Sequence, residues 1–138
     1  MKQIQEQEVW GMPLTMKETI SSTYLSLINR KSIDKVTIKD LVEECGISRQ
    51  TFYYHFKDII EVIEWTIDRN CEKKLAESLK QSTAAAAIGV YVDMIIRNRE
   101  SLRRGLMSSK RDYIQQALFR SLQNYLQELF RKTRPSIP

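Results

Sequence analysis

Ten consecutive positions of the chain hold Ser48, Arg49, Gln50, Thr51, Tyr53, Tyr54, His55 and Lys57, interrupted only by Phe52 and Phe56. The guanidinium fork of an arginine matches O6 and N7 of guanine, and a glutamine carboxamide matches N6 and N7 of adenine. Arg49 and Gln50 therefore carry the donors and acceptors for reading base edges. Thr51, Tyr53 and His55 have groups that bond to phosphate oxygens, and Lys57 has a charge that neutralises one. A single aromatic or a lone histidine is more often part of a core. The set becomes a reading surface only if the elements around it turn these side chains outward.

The spacing predicts such elements. Thr37 and Asp40 form a capping pair, and Ile38, Leu41, Val42 and Cys45 fall at i, i+3, i+4 and i+7 of a short helix. Gly46 is placed to end that helix in the left-handed conformation, and Ser48 to cap the next one. In the second helix Phe52 and Phe56 stack four apart toward the core, which leaves Arg49, Gln50, Tyr53 and Tyr54 on other faces. The pattern is a helix-turn-helix, whose second helix fits the major groove. Ahead of it, Thr15 and Glu18 open a helix with Ile20, Tyr24, Leu27 and Ile28 on one stripe, and Asn29 to Asp34 is a polar break. Behind it, Asp58 and Glu61 open a long helix whose Ile59, Ile63, Ile67, Cys71, Leu75 and Leu79 step by four to about Lys80.

The run from Thr37 to Phe56, TIKDLVEECGISRQTFYYHF, resembles the signature of the TetR family of bacterial transcriptional regulators, and the resemblance extends from about Thr15 to Trp65. It implies phosphate contact by Thr37 and DNA contact by Ser48, Arg49, Gln50, Thr51, Tyr53, His55 and Lys57, with Tyr54 beside them. It also implies a homodimer and a larger helical domain that often houses an effector pocket. The segment TFYYHFKDIIEVIEW is similar to the branch that controls dihydroxyacetone kinase operons. The expectation is a sequence-specific regulator, taken as a repressor, that binds a palindromic double-stranded operator as a homodimer under control of a small molecule or a partner protein.

The rest of the chain reads as helical too. A small, uncapped run Gln81 to Ala87 precedes a helix with Ile88, Tyr91, Val92, Ile95 and Ile96. A basic segment follows, with Arg97, Arg99, Arg103, Arg104, Lys110 and Arg111 around Leu102 and Leu106. The last helix has a broad stripe, Ile114, Ala117, Leu118, Ser121, Leu122, Tyr125, Leu126 and Leu129, until Pro135 ends it. Its Leu118, Leu122, Tyr125, Leu126 and Leu129 are the candidate dimer interface. Trp65, Tyr91, Met94 and Met107 are candidates for a pocket, although residues of these types at helical spacing are more often core. The expected organisation is a flexible arm over 1–14 carrying Gly11, Pro13 and Trp10, a TetR-type DNA-binding domain over 15–60, and a helical dimerisation and effector domain over 61–138. TetR-like chains usually continue through two further helices. The expectation is that this chain is either shortened or dimerises through the helix from Ile114 to Phe130.

Composition agrees with an all-α class and narrows the chemistry. Of 138 residues, 42% are hydrophobic and 28% charged, and only 4 are Gly and 3 Pro, few for a fold of many short strands. The net charge is +5, yet residues 1–57 hold eight basic and seven acidic side chains against fourteen and ten in 58–138, so net charge alone does not mark the helix-turn-helix as a DNA binder. Cys45 and Cys71 sit on apolar helical positions without metal-ligand spacing, which points to core thiols in a reducing cytoplasm. No stretch approaches the roughly 18 apolar residues of a membrane span. With one histidine and no phosphate-binding, nucleophile or dinucleotide motif, an enzyme is disfavoured, and neither metal nor cofactor is expected. A helical protein-interaction module without DNA readout is the remaining alternative, against which the polar Arg49–Gln50 face argues.

Overall fold

The computed structural model describes residues 15–133, which hold seven α-helices, five of them opened by a side-chain cap. The expected N-terminal arm, with Trp10, and the helix stop at Pro135 lie outside these residues. Helix α1 (Met16–Arg30) begins where Thr15 Oγ1 accepts the Glu18 N–H at 3.2 Å. A 3₁₀ turn (Ile33–Lys35) occupies the polar break. Helix α2 (Ile38–Cys45) has a closed capping box: Thr37 Oγ1 accepts the Asp40 N–H at 3.1 Å and Asp40 Oδ2 accepts the Thr37 N–H at 3.0 Å. Gly46 ends it at φ 70°, with its own N–H donating to the Glu43 carbonyl and the Ile47 N–H to that of Val42, the paired bonds of a Schellman turn. Helix α3 (Arg49–His55) starts at once because Ser48 Oγ accepts the Thr51 N–H at 3.0 Å.

Chain packing divides between Trp65 and Thr66, inside helix α4 (Ile59–Ser78), which Asp58 opens by accepting the Glu61 N–H at 2.9 Å. In the first unit Ile20, Leu41, Phe52, Phe56 and Val62 are almost fully buried, and Tyr24, Leu27 and Cys45 are buried with them. This core fixes α2 and α3 against α1.

The second unit contains α5 (Ala84–Arg97), α6 (Arg99–Leu106) and α7 (Arg111–Thr133). Two expectations are corrected here. The run before α5 is capped after all, by Thr83, whose Oγ1 accepts the Ala86 N–H at 3.1 Å. The stripe of α4 does not continue to Leu79, which is 37% exposed, because steps of four overshoot the helical period of 3.6; the buried face passes instead through Val62, Thr66, Cys71 and Ser78. The core of this unit is Cys71, Ala87, Tyr91, Tyr125 and Leu129, with Tyr91 and Tyr125 rings 4.3 Å apart. Three buried oxygens form a triangle at its centre: Ser78 Oγ and Tyr125 Oη lie 2.6 Å apart, and each reaches the Ala87 carbonyl, at 2.9 and 3.0 Å. Asp68 accepts from Ser121 Oγ at 2.6 Å and from Arg120 at 3.3 Å. No helix among the described residues is long and apolar enough to cross a membrane.

Candidate nucleic-acid interface

The residues of α3 separate by direction. Phe52 and Phe56 point inward, Phe56 meeting the edge of Trp65 at a centroid distance of 6.1 Å, while Arg49 and Gln50 are exposed. Tyr53 is half exposed and Tyr54 is 85% exposed, with its ring edge against His55 at 5.0 Å. A tyrosine left this far in water has no packing role in its own chain, which removes the core reading for Tyr54. Thr51 and Ser48 share a hydroxyl–hydroxyl hydrogen bond at 2.9 Å, so Ser48 caps the helix and holds Thr51 at its first turn. The helix is seven residues long, about 10 Å, and an α-helix with its side chains, about 10 to 12 Å across, fits a major groove about 12 Å wide.

Charge pairing sorts the cations of this unit. Arg30 binds Glu44 at 3.0 Å, Lys31 binds Asp40 at 2.8 Å, and Lys17 lies over the Phe56 ring at 5.2 Å. The side-chain charges of Arg49 and Lys57 have no carboxylate partner among the described residues, nor does that of Lys39, two residues after Thr37 at the start of α2. Lys39 is a candidate that the sequence reading missed; its signal was an unpaired positive charge beside a capping threonine. The Lys31 ammonium, followed by the Thr37 N–H, holds the Asp40 carboxyl at about 2, so Asp40 stays ionised and its charge is spent on the cap.

The other expected sites come apart in the structure. Tyr91 and Met94 line a groove of about 380 Å³ in the second unit, but Trp65 packs on Phe56 in the first, and Met107 is 74% exposed and does not line the groove. The groove is completed by side chains not singled out from sequence, among them Asn70, Asn98, Gln115 and Phe119. Of the expected dimer residues, Tyr125 and Leu129 are corrected: both are buried in the core of their own unit, because the Tyr125 hydroxyl finds its partners there. Leu118 is half-buried against the groove, whereas Leu122 and Leu126 are exposed on α7 together with Phe119 and Phe130. Burial pushes the thiols of both Cys45 and Cys71 above their ordinary pKa, as befits core cysteines.

Residues 23–64 match the model of the bacterial regulatory proteins of the tetR family. Over 87 residues the chain is 30% identical to an uncharacterized HTH-type transcriptional regulator, YerO, of Bacillus subtilis (strain 168); the alignment covers 56% of this chain and 30% of that protein. No solved structure matches. Both matches lead to DNA-binding regulators rather than enzymes and support the TetR family without naming a branch of it. The chain is all-helical among its described residues, with a TetR-type helix-turn-helix domain at its N-terminus and a helical region after it.

Proposed function

We propose that this chain is a transcriptional regulator that reads double-stranded operator DNA through α3. The observation that carries the reading is the division within that helix: Phe52 and Phe56 are buried to 0 and 1% exposure while Arg49, Gln50, Tyr53 and Tyr54 face solvent. Thr37, Thr51, Tyr53, His55 and Lys57 anchor the phosphates on either side, and Ser48 sets the first turn. The similarity to a protein named as an HTH-type transcriptional regulator supports this reading. The reading takes the regulator as a repressor, and the shortness of α3 supports a homodimer on a palindromic site. One two-turn helix contacts only a few base pairs, and a two-fold pair reads two half-sites. Leu122 and Leu126 on α7 are the side chains offered to the second copy. A small molecule or partner protein bound by the second unit adjusts DNA affinity. The finer assignment to the dihydroxyacetone kinase operon branch rests on the run Thr51 to Trp65 alone.

The test is a gel shift against the DNA upstream of the gene and its neighbours. Arg49→Ala is expected to cost about 1 to 3 kcal/mol at the bound site and to relax base preference there. Lys57→Ala is expected to weaken all sequences alike and to flatten the salt dependence. Unchanged operator affinity for Arg49→Ala in competition assays would show that α3 is not the reading helix.

A further inference from the structure

The groove of the second unit has a chemical character that neither the family match nor the relative's name describes. Its walls are apolar: Ile67 and Cys71 come from α4, Met94 and Ile95 from α5, and Leu118 and Phe119 from α7. Its polar side chains are three carboxamides, Asn70, Asn98 and Gln115, with the Tyr91 hydroxyl and the Cys71 thiol beside them, and no charged side chain lines it. The Asn98 amide donates to the Met94 carbonyl at 2.8 Å and keeps its oxygen, while the side chains of Asn70 and Gln115 make no hydrogen bond to any described residue. Asp68 of α4, which does not line the groove, is engaged by Ser121 and Arg120. The volume of about 380 Å³ lies within the range of small-molecule sites, about 300 to 1,000 Å³.

We propose that this groove binds an uncharged, mainly apolar small molecule carrying one or two hydrogen-bonding groups such as a hydroxyl, carbonyl or amine. Apolar walls take up the body of such a ligand, and carboxamides, which both donate and accept, meet its polar group in either sense. A charged ligand would leave its ion unpaired in an apolar site, a large desolvation cost. The ligand's role as an effector rests on the regulator reading above; its chemical class rests on the lining alone.

The experiment compares two dyes of one skeleton on the full, DNA-free chain: uncharged N-phenyl-1-naphthylamine and its sulfonated counterpart 1-anilinonaphthalene-8-sulfonate. The uncharged dye is expected to bind saturably, one per chain, at least tenfold more tightly than the sulfonate. Leu118→Trp, which fills the groove, should weaken it at least tenfold. Phe119→Ser, at a 69% exposed position where folding is not at stake, should weaken it several-fold. Ile88→Ser, on the exposed face of α5 outside the groove, should leave it unchanged. Equal or tighter binding of the sulfonate overturns the proposal. So does dye binding that survives both groove variants, or that Ile88→Ser removes. The dye titration contains no DNA, so failure of the operator gel shift leaves its outcome standing, and failure of the dye leaves the operator reading intact.

Discussion

The two units spend their apolar residues differently. In the first, each helix start is capped by Thr15, Thr37, Ser48 or Asp58, and among the described residues most large aliphatic side chains enter the core, while Leu25 is 36% exposed. What remains outside is polar or, at Tyr53 and Tyr54, aromatic with a hydroxyl. In the second, Ile88, Val92, Ile95 and Ile96 of α5 and Phe119, Leu122, Leu126 and Phe130 of α7 are all 37 to 69% exposed. The contrast shows that helical apolar periodicity marks a face without saying what covers it. The first unit consumes its stripes within the chain, whereas the second keeps two of them open, and open apolar surface of this kind marks binding sites.

The largest expected effect tests the closed unit. Phe52→Ala removes an almost fully buried ring and should cost about 3 to 5 kcal/mol in denaturant unfolding, a large share of a typical domain's 5 to 15. A variant that unfolds like the parent but fails on DNA would assign Phe52 to the reading surface and dissolve the contrast. The open unit should respond in the opposite way. Leu122→Glu combined with Leu126→Glu should change chain stability by no more than about 0.5 kcal/mol per site, as exposed positions do. Sedimentation at tens of micromolar protein, well above a typical nanomolar-to-micromolar dimer constant, should nevertheless show monomers where the parent is dimeric. A parent that sediments as a monomer would sink the dimer face. The smallest effect concerns the cap of α2. Asp40 is held at about 2 against an ordinary 3.8, so its contribution to folding is complete above 3.8 and is lost as pH falls toward 2. Trp65 fluorescence in a Trp10→Phe background should show the acid midpoint of the parent shifting in Asp40→Asn, with no difference in the parent's own profile above pH 5.

Legibility in the sequence follows the same division. Caps and turns are local, so Thr37 with Asp40, Gly46, and Ser48 announce α2, the turn and α3 directly, and the Phe52–Phe56 pair tells which side of α3 faces in. Lys39 escaped because an unpaired charge is visible only once Lys31 has been seen to take Asp40. In the second unit the deciding contacts are between residues far apart in sequence. Tyr125 is drawn inward by Ser78 and Ala87, 47 and 38 positions away, and no spacing on α7 separates it from the exposed Leu126 next to it. Cavity lining is equally non-local: Asn70, Asn98 and Gln115 converge only through the packing of α4, α5, α6 and α7.

The oxygen triangle of Ser78, Ala87 and Tyr125 has three edges but only two hydroxyl hydrogens to place on them. At any instant one edge is therefore without a proton, and the two hydroxyls exchange the roles of donor and acceptor across the other two. The arrangement is redundant. If either hydroxyl is lost, the other still donates to the Ala87 carbonyl, so neither loss alone orphans a buried polar group. The polar contacts where α4, α5 and α7 meet are thus buffered against loss of either hydroxyl alone, as in Ser78→Ala or Tyr125→Phe, while the buried Tyr125 ring keeps its place on Tyr91.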